Sequence, residues 1–324
     1  TQEGSDEWPR QLTFFADKVW ELHGTAAAEH LLAVGDVGGN ERQQFYLISG
    51  YGGDGNSHDV RRLTTDDSAI HRFGSFSADG QRILYVANGR NGVDFDLFRM
   101  DVTDGAAQPL LELPGNQEVM AWSPDERYVI TRAQIGPLED RLFLVDLAGD
   151  SGPEILRELT ADQPPARYEQ VRWQETGVFL LSDRTHDRGA LCRLDVETGA
   201  VTEILRVDVQ PETGEMEALA VASDGSAVFA YNRGGYSRLW RVNLRTGARR
   251  PLEGLPSGQI GHISIRPDGT VLCDVQTPRH NLNIWQVDSQ GRARPLTQSD
   301  RAGLDPATFV EPELIEFTTF DGLS

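Results

Sequence analysis

The serine and lysine side chains lack the neighbours that nucleophilic or phosphate-binding chemistry needs. The segment most like a G-x-S-x-G nucleophile elbow is Gly234-Gly235-Tyr236-Ser237-Arg238, which lacks the last glycine, so we interpret Ser237 as structural. Lys18 is the only lysine in the sequence, and it lies outside any G-x-x-x-x-G-K-[ST] phosphate loop. No G-x-G-x-x-G opens a helix, which removes the usual dinucleotide site. We therefore predict no catalytic residue and no cofactor in this chain.

The side chains that could ligate a metal ion are also poorly spaced for it. The seven histidines form no H-E-x-x-H motif and no other pair typical of zinc sites. The segment from Asp54 to Asp59 alternates oxygen donors as a calcium loop does, but it lacks the following glycine and the distal glutamate. We predict no metal site.

Four charged residues recur at intervals of 46, 51 and 48 residues: Arg72, Glu118, Glu169 and Glu217. Such spacing predicts equivalent positions in a repeat, with Trp20 and Gly261 at the same position of two further units. One interpretation is a ring of binding residues at the mouth of a channel, which would attract a cationic group such as a peptide amine. The other is that strand beginnings are solvated and carry charge by default.

The elements that must position these residues form a repeat of about 47 residues. Each unit has a turn that follows an apolar run, in copies at 76–80, 122–126, 173–177, 221–225 and 265–269. Each also has a Leu-x-x-x-Asp type run further on, in copies at 97–101, 142–146, 191–195, 239–243 and 284–288. Two separate anchors with the same period are strong grounds for internal repetition.

Each unit contains four short apolar runs separated by hairpin turns such as Asp79-Gly80, and no long stretch has helical periodicity. We therefore predict an all-β fold, a β-propeller of four-stranded antiparallel blades. Six complete units begin near residues 18, 68, 115, 166, 215 and 258. Pro9-Arg10-Gln11-Leu12-Thr13 resembles the last strand of a partial seventh unit, so the chain would start within a blade of a seven-bladed ring. We expect Phe76, Trp122, Trp173, Val221 and Ile265, three residues before each turn, to pack between blades.

Composition limits the classes of partner. Hydrophobic residues make up 39% of the chain, enough for a packed core, and no stretch has the length of a membrane span. A formal net charge of −20 would repel nucleic acid and anionic bilayers, so we expect neither as a partner. The two cysteines, Cys192 and Cys273, are too few for a disulfide framework, which favours a reducing compartment and a cytoplasmic location.

Several segments resemble the prolyl oligopeptidase family of serine peptidases, and in particular its acylaminoacyl-peptidase-like branch. Residues 312–323, Pro-Glu-Leu-Ile-Glu-Phe-Thr-Thr-Phe-Asp-Gly-Leu, resemble the junction at which such enzymes pass from a propeller to an α/β-hydrolase domain. The other segments that resemble this branch are 9–13, 36–41 with 44–47, and 232–239. Together the resemblance extends over almost the whole chain.

The resemblance implies that residues 1–304 form the propeller and that 305–324 are a linker with the first residues of a hydrolase domain. The parent protein would be a serine peptidase whose catalytic triad lies beyond Ser324. This chain would then be its non-catalytic propeller, which admits short peptides and excludes folded proteins. Its partners would be its own hydrolase domain and short peptides, with a homo-oligomer also open.

Two alternatives stay open at this point. A TolB-like propeller would bind a protein partner in its channel and would have no hydrolase domain after it. A scaffold propeller of the WD-repeat type is less favoured, because no Trp-Asp dipeptide closes the third strands.

Overall fold

The structure is a computed structural model that describes residues 11–25, 27–50, 59–186, 188–209, 212–299 and 302–322. These residues fall into two compact units. The first unit takes in residues 11–184 and 193–202, and the second takes in residues 185–192 and 203–322.

The described residues form six four-stranded antiparallel sheets, and in each sheet the strands lie in sequence order, as in the blades of a β-propeller. Blade 1 consists of β1 (Val19–Gly24), β2 (His30–Gly35), β3 (Gln44–Ser49) and β4 (Asp59–Arg62). Blade 2 consists of β5 (His71–Phe76), β6 (Arg82–Ala87), β7 (Asp96–Asp101) and β8 (Ala107–Leu111). Blade 3 consists of β9 (Gln117–Trp122), β10 (Tyr128–Gly136), β11 (Glu139–Asp146) and β12 (Glu154–Glu158). These three blades belong to the first unit.

Blade 4 contributes residues to both units, and blades 5 and 6 belong to the second. Blade 4 consists of β13 (Tyr168–Gln174), β14 (Gly177–Ser182), β15 (Ala190–Leu194) and β16 (Val201–Leu205). A two-stranded sheet that the repeat did not predict follows, with β17 (Asp208–Val209) and β18 (Glu212–Thr213). Blade 5 consists of β19 (Glu215–Val221), β20 (Ser226–Arg233), β21 (Tyr236–Asn243) and β22 (Arg249–Leu252). Blade 6 consists of β23 (Gln259–Ile265), β24 (Val271–Thr277), β25 (His280–Val287) and β26 (Ala293–Pro295).

The prediction of six four-stranded antiparallel units is confirmed, whereas a seventh partial blade is not. Residues 11–13 of the proposed extra strand form no strand, and Pro9 and Arg10 lie outside the described residues. The only helix in the described part of the chain is a single 3-10 turn, Pro306–Thr308, so no helix there is long enough to cross a membrane.

The repeated Asp or Asn at the end of the third strand has a local structural role. Its side-chain oxygen accepts a hydrogen bond from the backbone N–H two residues later, at 2.8 Å for Asp101, 2.9 Å for Asp146 and 2.9 Å for Asp195. Asn243 and Asp288 do the same at 3.1 Å and 2.9 Å. This Asx turn directs the chain into the fourth strand, which explains why the anchor recurs.

Apolar clusters join successive blades within each unit. Trp122, 7% exposed, packs in a cluster with Leu84 and Leu97 of blade 2, and Phe76 lies against the cluster shared by blades 1 and 2. In the second unit, Ile265 lies against the cluster that blades 5 and 6 share. The sequence prediction for these three residues is confirmed, and burial of such side chains is the main stabilising contribution to a stacked-sheet fold.

Candidate functional site

A cavity of about 510 Å³ lies in the first unit, near the beginnings of β9 and β13. Its lining consists of Gly74, Glu118, Val119, Met120, Arg132, Glu169, Gln170 and Arg172. The strands that supply most of this lining, β5, β9 and β13, are the first strands of successive blades and contact one another in order. The cavity therefore contains two of the four predicted site residues, Glu118 and Glu169, together with two arginines.

A glycine permits the close approach of β5 and β9 at one wall of this cavity. A Cβ atom added to Gly74 would lie 2.3 Å from the Cβ of Val119 and 2.9 Å from the carbonyl oxygen of Leu84. Because neither the strand backbone nor the β-branched valine can move far, we expect position 74 to accept no other residue without displacement of a strand.

Glu118 is paired with an arginine from the neighbouring strand. Arg132 lies directly opposite it in the β9–β10 register and donates from Nη2 to Glu118 Oε2 at 2.6 Å. The other terminal nitrogen of Arg132 lies 3.6 Å from Asp140 Oδ2 and donates to the carbonyl oxygen of Tyr168 at 3.3 Å. Burial raises the pKa of the Asp140 carboxyl, while the Tyr168 N–H and Arg132 oppose that rise. Arg132 therefore lies between two carboxylates and partly neutralises Glu118.

Arg72, the third predicted residue, lies at the same level of blade 2. Its guanidinium donates to the side-chain oxygen of Asn116 and lies 4.0 Å above the ring of Phe95. Burial lowers the pKa of the Arg72 guanidinium, and the charge of Arg132 acts in the same direction, while Glu118 opposes both. Arg72 and Glu118 are thus close enough to interact electrostatically.

Glu169 and Arg172 occupy the two sides of an irregularity in β13. The pairing of β13 with β14 shifts between these two residues, and Gln170 between them has a positive φ of 52°. The Glu169 carboxylate is exposed and makes no ion pair or hydrogen bond with any described residue. The irregularity places both charged side chains in the lining of one cavity.

Arg172 has only uncharged partners among the residues described. It donates from Nη2 to Gln170 Oε1 at 2.7 Å and from Nη1 to the carbonyl oxygen of Val171 at 3.0 Å. Burial lowers the pKa of its guanidinium. A partly buried cation with no carboxylate partner is unusual, because the cost of desolvation is normally offset by an opposite charge.

The fourth predicted residue, Glu217, belongs to the second unit. Its carboxylate accepts hydrogen bonds from Asn232 Nδ2 at 2.9 Å and from Ser237 Oγ at 3.0 Å. Ser237 Oγ also accepts a hydrogen bond from the backbone N–H of Ile260 at 3.0 Å. Ser237 thus connects β21 to β23. That Arg72, Glu118, Glu169 and Glu217 together form a ring of binding residues remains a prediction.

The described part of the chain contains no group of three or more His, Cys, Asp and Glu side chains placed to hold a metal ion. Residues 54–58 of the segment that resembles a calcium loop lie outside that part. The cavity lining combines carboxylates, guanidiniums, one amide and apolar groups. Its carboxylates and guanidiniums are groups that can orient a charged ligand through ionic hydrogen bonds.

The C-terminal segment belongs to the second unit and lies beside the loops after β20 and β24. A cavity of about 350 Å³ there is lined by Gly234, Gly235, Tyr236, Gly258, Gln259, Gln276, Thr277, Pro278, Pro312, Glu313 and Leu314. Arg279 Nε lies 2.8 Å from Glu311 Oε1, an ion pair between the loop after β24 and this segment. The segment nevertheless exposes large apolar side chains, namely Val310, Leu314, Ile315, Phe317 and Phe320. Several large apolar side chains exposed within one short segment are typical of an interaction site.

Solved structures of larger enzymes contain a region with the same architecture as this chain. A puromycin hydrolase structure superposes with a TM-score of 0.71 and 18% identity over 94% of this chain and 49% of that one. Prolyl oligopeptidase B from Galerina marginata superposes with a TM-score of 0.69 and 14% identity over 94% of this chain and 45% of that one. The fold is that of the prolyl oligopeptidase propeller. The chain spans about half the length of these structures. No family model and no curated protein sequence matches it.

Within this prolyl oligopeptidase-type propeller, sequence reasoning found the carboxylates of the cavity but missed Arg132 and Arg172. A signal for Arg172 exists in the repeat. Four residues before the turn position, blades 2, 3, 5 and 6 have Ser75, Ala121, Ala220 and Ser264, whereas blade 1 has His23. The structure pairs each of these residues with the second strand of its blade, as it does Arg172. An arginine at a position where four blades have Ser or Ala distinguishes blade 4 from them.

Proposed function

We propose that this chain is the non-catalytic propeller of a serine oligopeptidase and controls the access of short peptides to a hydrolase domain that follows it. The observation that carries the proposal is the likeness of fold. It extends over nearly all of this chain and over only about half of puromycin hydrolase and of prolyl oligopeptidase B. In this proposal the hydrolase domain supplies the nucleophile, and the propeller supplies the restriction on size.

The exposed C-terminal segment supports the proposed hydrolase partner. Leu314 and Ile315 are 68% and 77% exposed, and Phe317 and Phe320 are 71% and 104% exposed. Burial of these side chains against a following domain would contribute roughly 1.5–3 kcal/mol each. The contact of this segment with the loops of blades 5 and 6 would then direct the chain from blade 6 into that domain.

The charged residues suggest how a peptide would be admitted. Glu169 and Glu217 are exposed carboxylates near the beginnings of first strands, and the chain as a whole is strongly acidic. Such residues would raise the local concentration of a peptide with a free amino group. Glu118 would contribute less, because Arg132 already neutralises part of its charge.

The catalytic half of the proposal is tested by activity-based labelling. In this proposal the gene encodes a longer protein in which a hydrolase domain follows residue 324. We expect a fluorophosphonate probe to label that longer protein and to leave a protein of residues 1–324 unlabelled. The longer frame should contain G-x-S-x-G followed by Asp and then His. Labelling of the isolated chain, or its hydrolysis of an aminoacyl-nitroanilide, would contradict the proposal. A frame without a hydrolase domain would favour the TolB-like alternative.

The electrostatic half is tested by a triple variant, Glu118→Gln, Glu169→Gln and Glu217→Gln, in the longer protein. We expect a lower kcat/KM for peptides with a free amino group and no change for the same peptides acetylated at that group. The control variant changes three exposed glutamates elsewhere, Glu175→Gln, Glu197→Gln and Glu253→Gln, and so has the same net charge. If both variants lowered kcat/KM for these peptides equally, the net charge of the protein, and not the position of the three glutamates, would account for the effect.

A further inference from the structure

Arg172 is a cation at a position where four other blades have a small, uncharged side chain. The equivalent position holds Ser75, Ala121, Ala220 or Ser264 in four of the other five blades and His23 in blade 1, so a small side chain satisfies the blade geometry in most of them. Within the described part of the chain, the guanidinium of Arg172 donates hydrogen bonds only to the Gln170 side chain and to the carbonyl oxygen of Val171. Neither partner offsets the cost of partial removal of a charge from water.

The side chain faces a cavity large enough for a small ligand. The volume of about 510 Å³ lies within the range of small-molecule sites, and Val119 and Met120 supply an apolar wall. Three of the five N–H groups of a guanidinium remain available when two are used by an amide and a carbonyl. A planar guanidinium with free donors suits a carboxylate, which it can bind in a bidentate manner.

The same cavity contains a carboxylate that has no ionic partner among the residues the structure describes. Glu169 precedes Arg172 by three residues, is exposed, and lines the cavity with it, whereas Glu118 is occupied by Arg132. The cavity thus has one guanidinium and one carboxylate that form no ion pair with the described residues. It is complementary to a ligand that has one negative and one positive group.

We propose that this cavity binds a zwitterion of amino-acid or dipeptide size, whose α-carboxylate contacts Arg172 and whose ammonium group contacts Glu169. The carboxylates of Glu118, Asp140 and Glu169 nearby disfavour a dianion such as phosphate. The proposal concerns the propeller alone and holds whether or not a hydrolase domain follows.

The test is a titration of the isolated chain, followed by calorimetry, with three alanine dipeptides. Ala-Ala has both charges, N-acetyl-Ala-Ala has only the carboxylate, and Ala-Ala-amide has only the ammonium group. We expect Ala-Ala to bind most tightly. Arg172→Gln should weaken the binding of both carboxylate-containing dipeptides by about tenfold or more and leave Ala-Ala-amide unchanged, since charge-assisted hydrogen bonds are worth that much.

Two further variants make the assignment specific. Glu169→Gln should weaken Ala-Ala and Ala-Ala-amide but not N-acetyl-Ala-Ala. Arg99→Gln is the matched control, because Arg99 also donates to a glutamine side chain, Gln108 Oε1 at 2.7 Å, but does not line the cavity. We expect this control to bind all three dipeptides as the wild type does.

Stability separates a binding role of Arg172 from a structural one. Arg172→Ser, which restores the residue type found in two other units, should unfold at the same or a higher temperature than the wild type while it loses carboxylate binding. Absence of N-acetyl-Ala-Ala binding to the wild type, equal binding by Arg172→Gln, or tighter binding of inorganic phosphate than of Ala-Ala would each overturn the proposal. A large loss of stability in Arg172→Ser would overturn it as well.

Discussion

His71 is a buried titratable side chain whose ionisation is linked to the stability of the first unit. It is 6% exposed, at the beginning of β5, and its ring lies near those of Phe45 and Tyr85. Nδ1 donates to the carbonyl oxygen of Gln43 at 3.0 Å, which the neutral ring can satisfy. Burial lowers the pKa of His71 from the usual 6.5, although the Gln43 carbonyl and Asp66 oppose this.

Acidification should therefore destabilise the protein through His71. The unfolded chain takes up a proton near pH 6.5 and the folded protein resists it, so stability is complete above that pH and falls as the pH decreases below it. We expect urea unfolding of the wild type to show this loss between about pH 7.5 and about pH 5.5. His71→Gln keeps a donor for Gln43 but cannot titrate, and should lose less stability over the same interval. Parallel pH profiles for the two proteins would contradict this assignment.

At the scale of the elements, the hairpins between third and fourth strands determine how closely one blade approaches the next. Gly105 and Gly199 occupy equivalent positions in these turns, with φ of 75° and 76°. Each N–H donates to the carbonyl oxygen of the Asp four residues earlier, at 2.9 Å and 2.8 Å. They differ in surroundings: an added Cβ at Gly105 would lie 3.5 Å from the carbonyl oxygen of Leu63, but at Gly199 it would lie 2.2 Å from that of Leu159.

This difference predicts unequal costs for the same substitution. Gly105→Ala should lower the free energy of unfolding by about 1–2 kcal/mol, the cost of a left-handed conformation for an L-residue. Gly199→Ala should cost a further 1–3 kcal/mol or so, because the new methyl group meets a backbone oxygen that cannot move without its strand. Chemical denaturation of both variants measures the two values. Equal losses would mean that blade 4 moves to accept the methyl group.

At the scale of the whole molecule, the acidic surface and the apolar C-terminal segment have opposite consequences. A net charge of −20 keeps molecules apart at low salt, whereas the exposed side chains of residues 310–320 favour association. Because these side chains are already exposed, they contribute little to the stability of this chain by itself.

Removal of the apolar side chains should change association and not stability. We expect a variant with Ile315→Ser, Phe317→Ser and Phe320→Ser to unfold within about 0.5 kcal/mol of the wild type. It should also sediment with less self-association. The control carries Val93→Ser and Leu138→Ser, which change two side chains that are 68% and 67% exposed in the first unit. If the control lost as much self-association as the triple variant, exposed apolar side chains in general, and not the C-terminal segment, would cause the association.

Part of the candidate site could be read from the repeat and part could not. Glu118 and Glu169 follow from the period of the turns, because equivalent positions in equivalent strands have equivalent environments. Arg132 belongs to the second strand of its blade, and its pairing with Glu118 depends on the β9–β10 register. Arg172 breaks the repeat, but its lack of an ionic partner is visible only when its neighbours in space are known.

The sequence by itself determined the six repeated units, their four-stranded antiparallel sheets, and the turn and Asx positions that delimit the strands. These features depend on interactions between residues close together in the chain, which leave a local pattern. Tertiary structure decided which charges pair, which cavity they line, and which glycine permits contact between two strands. Those features depend on strand register, on the irregularity in β13 and on contacts between blades about 50 residues apart, for which no local pattern exists.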